Sequence, residues 1–128
     1  MPERNILIVD DEADLRDLFR KALQDVGYRA DVASTAAEAR ELLEKHRYQL
    51  VIVDWRLPDG DGTVVAGLAT ETGARAFVMS GYLAHLPPGI VDLRQTLMKP
   101  VRPAELVATV RECIGEPSVT SSKNQSDT

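Results

Sequence analysis

Five polar side chains stand at the ends of short apolar runs. Asp10 and Asp11 follow NILIV, Asp54 ends LVIVD, Ser80 ends AFVMS and Lys99 follows TLM. If the fold brings them together, the three carboxylates would repel one another unless a cation lay between them, which indicates Mg²⁺ or a similar hard ion. A carboxylate can also attack phosphorus to form an acyl phosphate, whose oxygens a hydroxyl and an ammonium would hold. These residue types therefore indicate metal-assisted phosphoryl transfer.

The segments around these residues alternate in hydrophobic period. Strand-length apolar runs occupy residues 5–10, 29–33, 50–54, 76–80 and 95–99. Segments of helical period separate most of them, which is typical of βαβ units around a parallel sheet. Because the carboxyl ends of parallel strands meet at one edge of the sheet, we expect the five polar side chains to converge there.

Four segments have the residue spacing of amphipathic helices. The apolar stripe of the first comprises Leu15, Leu18, Phe19, Ala22, Leu23 and Val26. Gly27 ends it. The second opens with the capping-box pattern Thr35-Ala36-Ala37-Glu38. The third covers about residues 63–70, and the last has Pro103 in its first turn.

Two further segments depart from regular structure. Pro87, Pro88 and Gly89 do not fit inside a helix, so the helix between the last two strands is predicted to be short or irregular. The polar, unpatterned residues 117–128 are predicted to form a disordered tail after a single domain, residues 1–116.

The composition favours one globular domain that binds neither nucleic acid nor membrane. The chain has 128 residues, of which 44% are hydrophobic, and its net charge is −5. An acidic chain offers no general attraction for nucleic acid. Cys113 is the single cysteine, which excludes an internal disulfide and a thiolate metal cluster. No apolar stretch has the length of a membrane span, and we expect a cytoplasmic protein.

Four stretches resemble the signature segments of the response-regulator receiver domains of two-component signalling. They are ILIVDDE, LVIVDWRLPDGDG, FVMSGY and LMKPVRPAEL, and the resemblance covers about residues 5–115. It implies an α/β, flavodoxin-like, doubly wound sheet of five parallel strands in the order 2-1-3-4-5. It also implies a stand-alone domain that accepts a phosphoryl group from a histidine kinase or a phosphotransfer protein and relays the signal by protein contacts. Its own chemistry would be limited to self-catalysed phosphotransfer and slow autodephosphorylation, and pairing with a second copy is left open.

The resemblance further implies a role for each residue at the sheet edge. Asp54 would be the phosphoacceptor, Ser80 would hydrogen-bond the phosphoryl group, and Lys99 would pair with it. The ligands of Mg²⁺ would be Asp10, Asp11, Asp54 and the backbone carbonyl of Arg56, with Asp11 preferred over Asp10 for direct ligation. Lys99-Pro100 matches the Lys-Pro of the family, in which the peptide bond is usually cis.

Some positions depart from the family pattern. The aromatic residue usual three positions before the lysine is replaced by Thr96, and Tyr82 is a candidate for the mobile ring instead. Arg56 and Tyr82 are large and flank the path of attacking water, so they are expected to shield an acyl phosphate. Ser80-Gly81-Tyr82 also resembles receivers fused to hybrid histidine kinases.

Other interpretations of these residues stay open. Asp10 and Asp11 could cap the first helix, and Lys99 could be a solvated charge. Asp54 and Ser80 could each belong to a turn. We interpret the remaining polar candidates as turn, surface or packing residues: Asp59, Asp61, His46, His85 and Cys113.

Two alternative functions remain beside signalling by phosphorylation. The first is a receiver that docks with its partner constitutively. The second is a haloacid-dehalogenase-like phosphatase, which expects a second aspartate where Arg56 stands. A nucleotide-binding domain is disfavoured because no phosphate-binding glycine loop follows the first strand.

Overall fold

The strands form where the apolar runs predict them. The computed structural model describes residues 5–81 and 96–117. In chain order the strands are β1 (Asn5–Val9), β2 (Arg29–Ala33), β3 (Leu50–Asp54), β4 (Arg56–Leu57), β5 (Gly60–Asp61), β6 (Arg75–Ser80) and β7 (Thr96–Met98). Five of them form a parallel sheet in the order β2-β1-β3-β6-β7. β4 and β5 pair only with each other, in a separate hairpin. When these two short strands are left out of the numbering, the order of the sheet is 2-1-3-4-5, so the predicted strand order is confirmed.

Helices cover both faces of this sheet. They are α1 (Ala13–Asp25), α2 (Ala36–Lys45), α3 (Gly62–Glu71) and α4 (Pro103–Ile114). None of the helices within the described ranges is both long and apolar enough to cross a membrane. The predicted irregular helix, Gln95 of the predicted fifth strand and the chain after Pro117 lie outside the described residues. The division into residues 1–116 and 117–128 therefore stays a prediction.

The side chains of the central strands alternate between two cores. Val9 of β1 packs in the core that α2 and α3 cover, whereas Ile8 packs in the other, beside Phe19 of α1. All five residues of β3 are buried. Since β3 pairs with β1 on one side and with β6 on the other, its last residue, Asp54, has a rigid support.

Two residues of the predicted apolar stripe on α1 are exposed. Phe19 and Leu23 are buried, but Leu18 is 47% exposed and Val26 is 37% exposed. Leu18 lies about 100° around the helix from Phe19, since a helix has 3.6 residues per turn, and this puts it at the margin of the buried face. Val26 is the C-cap residue, beyond the last helical turn. The apolar stripe is therefore wider than the buried face of α1.

The predicted cap of α2 is confirmed with one difference. The Thr35 hydroxyl accepts a hydrogen bond from the amide of Glu38 at 3.0 Å. The Glu38 carboxylate reaches back one residue further than in a capping box, because it accepts from the amide of Ser34 at 2.6 Å and from its hydroxyl at 2.7 Å. The start of α2 is thus firmly fixed.

Candidate functional site

The ends of four strands bring predicted site residues to one edge of the sheet. Asp54 and Ser80 are the last residues of β3 and β6, while Asp10 and Lys99 directly follow β1 and β7. The amide of Asp10 donates to the carbonyl of Ala33 at 3.1 Å, and that of Lys99 donates to the carbonyl of Ser80 at 2.8 Å. The backbone therefore fixes these side chains where the strand ends converge.

Lys99 lies between buried carboxylates. Its Nζ is 3.2 Å from Oδ2 of Asp10 and 3.1 Å from Oδ2 of Asp54, and Oε1 of Glu12 is 3.8 Å away. Asp10 is fully buried and Asp54 is 9% exposed. Because solvent screens buried charges only weakly and Lys99 contacts two such carboxylates, the interpretation of Lys99 as a solvated charge is not supported.

Asp10, Asp11 and Asp54 form a cluster that could hold a metal ion. One carboxylate oxygen from each lies within 4.8 Å of the other two. Asp11 is exposed whereas its two neighbours are buried, so the cluster opens to solvent on one side. An all-oxygen set that leaves room for bound water suits Mg²⁺, which keeps part of its hydration shell in proteins.

The charges of the site act against the cost of burial. Burial raises the pKa of Asp54, and the negative charge of Asp10 raises it further. Lys99 and the backbone amide of Arg56 lower this pKa, but it stays above its ordinary value. Burial lowers the pKa of Lys99, but the contacts with Asp54 and Asp10 outweigh it, so this pKa is raised. A divalent cation would supply the positive charge that favours ionised Asp54.

The turn from Asp10 to Glu12 fixes the first aspartate. Oδ1 of Asp10 accepts a hydrogen bond from the amide of Glu12 at 2.9 Å, and Nη1 of Arg16 donates to the carbonyl of Asp10 at 2.8 Å. Glu12 is the N-cap residue of α1 and makes no side-chain capping bond. For Asp10 the helix-cap interpretation is not supported, because its carboxylate binds the amide of the N-cap residue itself rather than one inside the helix.

A hairpin that the sequence analysis missed follows Asp54. In it Arg56 of β4 pairs with Asp61 of β5. The nearby backbone amide of Arg56 acts to lower the pKa of the Asp54 carboxyl, so the backbone of Arg56 lies beside the cluster. The Pro58 to Gly60 stretch is a turn signal that could have predicted this hairpin.

Asp59 and Asp61, interpreted from sequence as turn residues, both bind helix starts. Asp61 is the N-cap of α3 and accepts from the amide of Thr63 at 2.7 Å. Asp59 accepts from the amides of Ala36 and Ala37 in the first turn of α2, at 2.8 Å and 3.0 Å. Sequence spacing gives no sign of the Asp59 bonds, because they join segments more than twenty residues apart.

Lys99-Pro100, Arg56 and Thr96 also lie within the described residues. The Lys99–Pro100 peptide bond is cis, as the resemblance implies. The guanidinium of Arg56 lies 5.3 Å from the centre of the Trp55 ring. Thr96 is half-buried on β7. Tyr82 lies outside the described residues, so its predicted roles stay predictions.

Two residues set aside in the sequence analysis lie away from this edge. His46 is exposed at the end of α2, where its ring meets the edge of the Tyr48 ring with centres 6.2 Å apart. Cys113 of α4 packs against the core, and burial raises the pKa of its thiol. His85 lies outside the described residues.

A comparison of sequences decides the family. Residues 6–111 match the response regulator receiver domain family. The chain belongs to this family. Receiver domains are phosphoacceptor signalling domains rather than enzymes in the usual sense, and they bind Mg²⁺ at an acidic pocket, to which the cluster of Asp10, Asp11 and Asp54 corresponds.

Individual proteins are similar to the chain over most of its length. The chain is 34% identical over 128 residues to an uncharacterized 14.6 kDa protein of Leptolyngbya boryana, with 91% of this chain and 95% of the relative covered. It is 32% identical to the transcriptional regulatory protein ResD of Bacillus subtilis, with 93% of this chain but only 51% of ResD covered. The response regulator TrrA of Thermotoga maritima, solved in complex with Mg²⁺-BeF, has a TM-score of 0.73 at 29% identity, with 87% of this chain and 99% of TrrA covered.

Proposed function

We propose that this receiver accepts a phosphoryl group on Asp54 from a phosphohistidine of a histidine kinase or phosphotransfer protein, in a Mg²⁺-dependent reaction. The observation that carries the proposal is the cluster of three carboxylates with Lys99 within hydrogen-bond distance of Asp10 and Asp54. The likeness to TrrA, whose structure contains Mg²⁺-BeF, supports it.

The side chains divide the chemistry between them. One carboxylate oxygen of Asp54 forms a bond to phosphorus while the phosphorus–nitrogen bond of the donor histidine breaks, and the imidazole keeps the electron pair. Lys99 and Ser80 would hold the phosphoryl oxygens. When bound by Asp10, Asp11, Asp54 and the carbonyl of Arg56, Mg²⁺ would offset the negative charge of the oxygens that approach one another.

The signal would then pass to another protein. We propose that the chain acts in the cytoplasm as a stand-alone receiver. The coverage of 95% of the 14.6 kDa relative supports the stand-alone arrangement. ResD is about twice as long as the part matched here, so both arrangements occur among the relatives. The downstream target and pairing with a second copy stay open in this proposal.

Labelling of the chain tests the proposal. A kinase phosphodonor, or acetyl phosphate, should label the wild type only when Mg²⁺ is present, and the label should be acid-stable and base-labile. Asp54→Asn should abolish the label, because a carboxamide does not form an acyl phosphate. Asp17→Asn is the matched control, since Asp17 is an exposed aspartate of α1 outside the cluster.

The outcomes separate this function from its alternatives. Equal labelling of wild type and Asp54→Asn would show that the acceptor is another residue. A partner that binds unlabelled chain as tightly as labelled chain would instead favour constitutive docking.

A further inference from the structure

Asp59 connects the tip of the hairpin β4–β5 with helix α2. Its Oδ1 accepts from the amide of Ala36 at 2.8 Å, and its Oδ2 accepts from that of Ala37 at 3.0 Å. The first amides of a helix have no partner inside the helix, and the partial positive charge there favours a carboxylate. One side chain therefore ties the loop after Asp54 to the start of a packed helix.

Helix α2 is itself a fixed reference point beside the site. Ala33, just before it, accepts the hydrogen bond from the amide of Asp10 at 3.1 Å. Thr35 caps the amide of Glu38 at 3.0 Å. Buried Ala39 and Leu43 anchor the helix in the core. A loop bound to this helix start is therefore held in place relative to Asp10.

The hairpin carries this restraint to Asp54. Arg56 pairs with Asp61 across the hairpin, and Asp61 is fixed by its bond to the amide of Thr63 at 2.7 Å. The amide of Gly62 donates to the carbonyl of Trp55 at 2.7 Å, which closes the base of the hairpin directly after Asp54. Release of the tip at Asp59 would leave the hairpin held only at its base, so the backbone of Arg56 would be less well fixed.

We propose that Asp59 is a positioning residue, whose two bonds to α2 hold the backbone of Arg56 beside the carboxylate cluster in the arrangement that Mg²⁺ requires. The inference rests on the proposed function, because it concerns the same Mg²⁺ site. Asp59 acts through the hairpin backbone rather than as a ligand. By linkage, Mg²⁺ binding and the Asp59 bonds strengthen each other to the same extent.

Titration with Mg²⁺ alone tests this role in the full chain. The fluorescence of Trp55, the only tryptophan of the chain and the neighbour of Asp54, serves as the signal. Asp59→Ala removes both bonds, and we expect its Mg²⁺ affinity to fall about fivefold, the lower end of ordinary coupling between two sites. Asp59→Asn removes the same charge but keeps one carbonyl acceptor, so its loss should be clearly smaller.

Thr35→Ala is the matched control for helix capping. It removes a cap from the same turn of α2 and leaves the hairpin bonds in place. Urea unfolding without Mg²⁺ should show a loss of stability in both Thr35→Ala and Asp59→Ala. Only Asp59→Ala should bind Mg²⁺ more weakly than the wild type.

Each outcome decides between explanations. Equal Mg²⁺ affinities of Asp59→Ala and Thr35→Ala would overturn the positioning role of Asp59. Equal losses of Mg²⁺ affinity in Asp59→Ala and Asp59→Asn would assign the effect to the lost charge, and this result would overturn the positioning role as well. If Asp59→Ala does not fold, the comparison of Asp59→Asn with Thr35→Ala decides in the same way. A wild type that neither binds Mg²⁺ nor becomes labelled would overturn the proposed function itself.

Discussion

At the scale of single residues, the side chain of Arg56 is held by its neighbour. Its guanidinium lies 5.3 Å from the centre of the Trp55 ring, within the range of a cation–π contact, which is worth about 0.5–1 kcal/mol at an exposed site. This contact restrains the guanidinium against the Trp55 ring, which itself packs against the core under α2 and α3. Shielding of the acyl phosphate by Arg56, expected from its size, stays a prediction.

The lifetime of the acyl phosphate should depend on this shielding. Arg56→Ala combined with Tyr82→Ala should speed dephosphorylation about tenfold, a change of about 1.4 kcal/mol in the barrier, since in-line water would reach phosphorus more easily. Thr96→Ala is the control and should change the rate little, because a threonine cannot act as a swinging ring. Loss of phosphate after removal of the kinase measures both. A double variant that holds its phosphate as long as wild type would exclude shielding by these residues.

At the scale of elements, the start of α3 is pressed against the end of β3. A Cβ atom on Gly62 would lie 2.1 Å from the carbonyl oxygen of Asp54 and 2.9 Å from its carbonyl carbon. These neighbours are backbone atoms, so no side-chain rotation relieves the clash. Helix α3 can therefore lie this close to Asp54 only because residue 62 is a glycine.

Two glycines of α3 should respond oppositely to the same substitution. Gly62→Ala should lower the free energy of unfolding by about 1–3 kcal/mol, the usual cost of overpacking, and should impair labelling of Asp54. At Gly67 a Cβ would meet nothing within 4 Å, so Gly67→Ala should raise stability by up to about 1 kcal/mol through helix propensity. Urea unfolding without Mg²⁺ gives both values. Equal effects of the two substitutions would contradict the close approach at Gly62.

The sequence predicts the elements better than it predicts the contacts between loops. Apolar runs locate the five strands of the sheet, and the carboxyl-edge rule brings Asp10, Asp54 and Lys99 together, because both depend on regular periods and topology. The hairpin after Asp54 was missed because two-residue strands have no measurable period. The bonds of Asp59 to α2 were missed because they depend on the packing of two loops that are distant in sequence.

The burial of α1 shows the same limit. The stripe of apolar residues correctly predicts that Phe19 and Leu23 are buried, since they face the sheet. Spacing alone does not tell how wide the buried face is, or that Val26 lies past the last turn. Leu18 and Val26 therefore belong to the apolar stripe although solvent reaches them.

At the scale of the whole molecule, Mg²⁺ should stabilise the fold by mass action. A ligand that binds only the folded state, at a hundred times its dissociation constant, raises the free energy of unfolding by about 2.7 kcal/mol. Asp11→Ala should lose most of this increment. Its stability without Mg²⁺ should equal or exceed that of wild type, because removal of one like charge relieves repulsion in the cluster.

Urea unfolding of the wild type and Asp11→Ala, with and without Mg²⁺, measures these differences, and Asp17→Asn serves as the control outside the cluster. A large loss of stability without Mg²⁺, accompanied by unchanged Mg²⁺ affinity, would contradict the metal role of Asp11. That result would instead support a role in capping α1.

The ion pair between Asp10 and Lys99 has a consequence for synthesis of the chain. The two residues are 89 positions apart, and Lys99 follows β7, the strand at the edge of the sheet. Until the ribosome has added Lys99, Asp10 and Asp54 have no lysine ammonium between them. Because Lys99 directly follows β7, a nascent chain has its full set of site residues only once the edge strand of the sheet has been made, so competence at this edge arises together with the completed sheet.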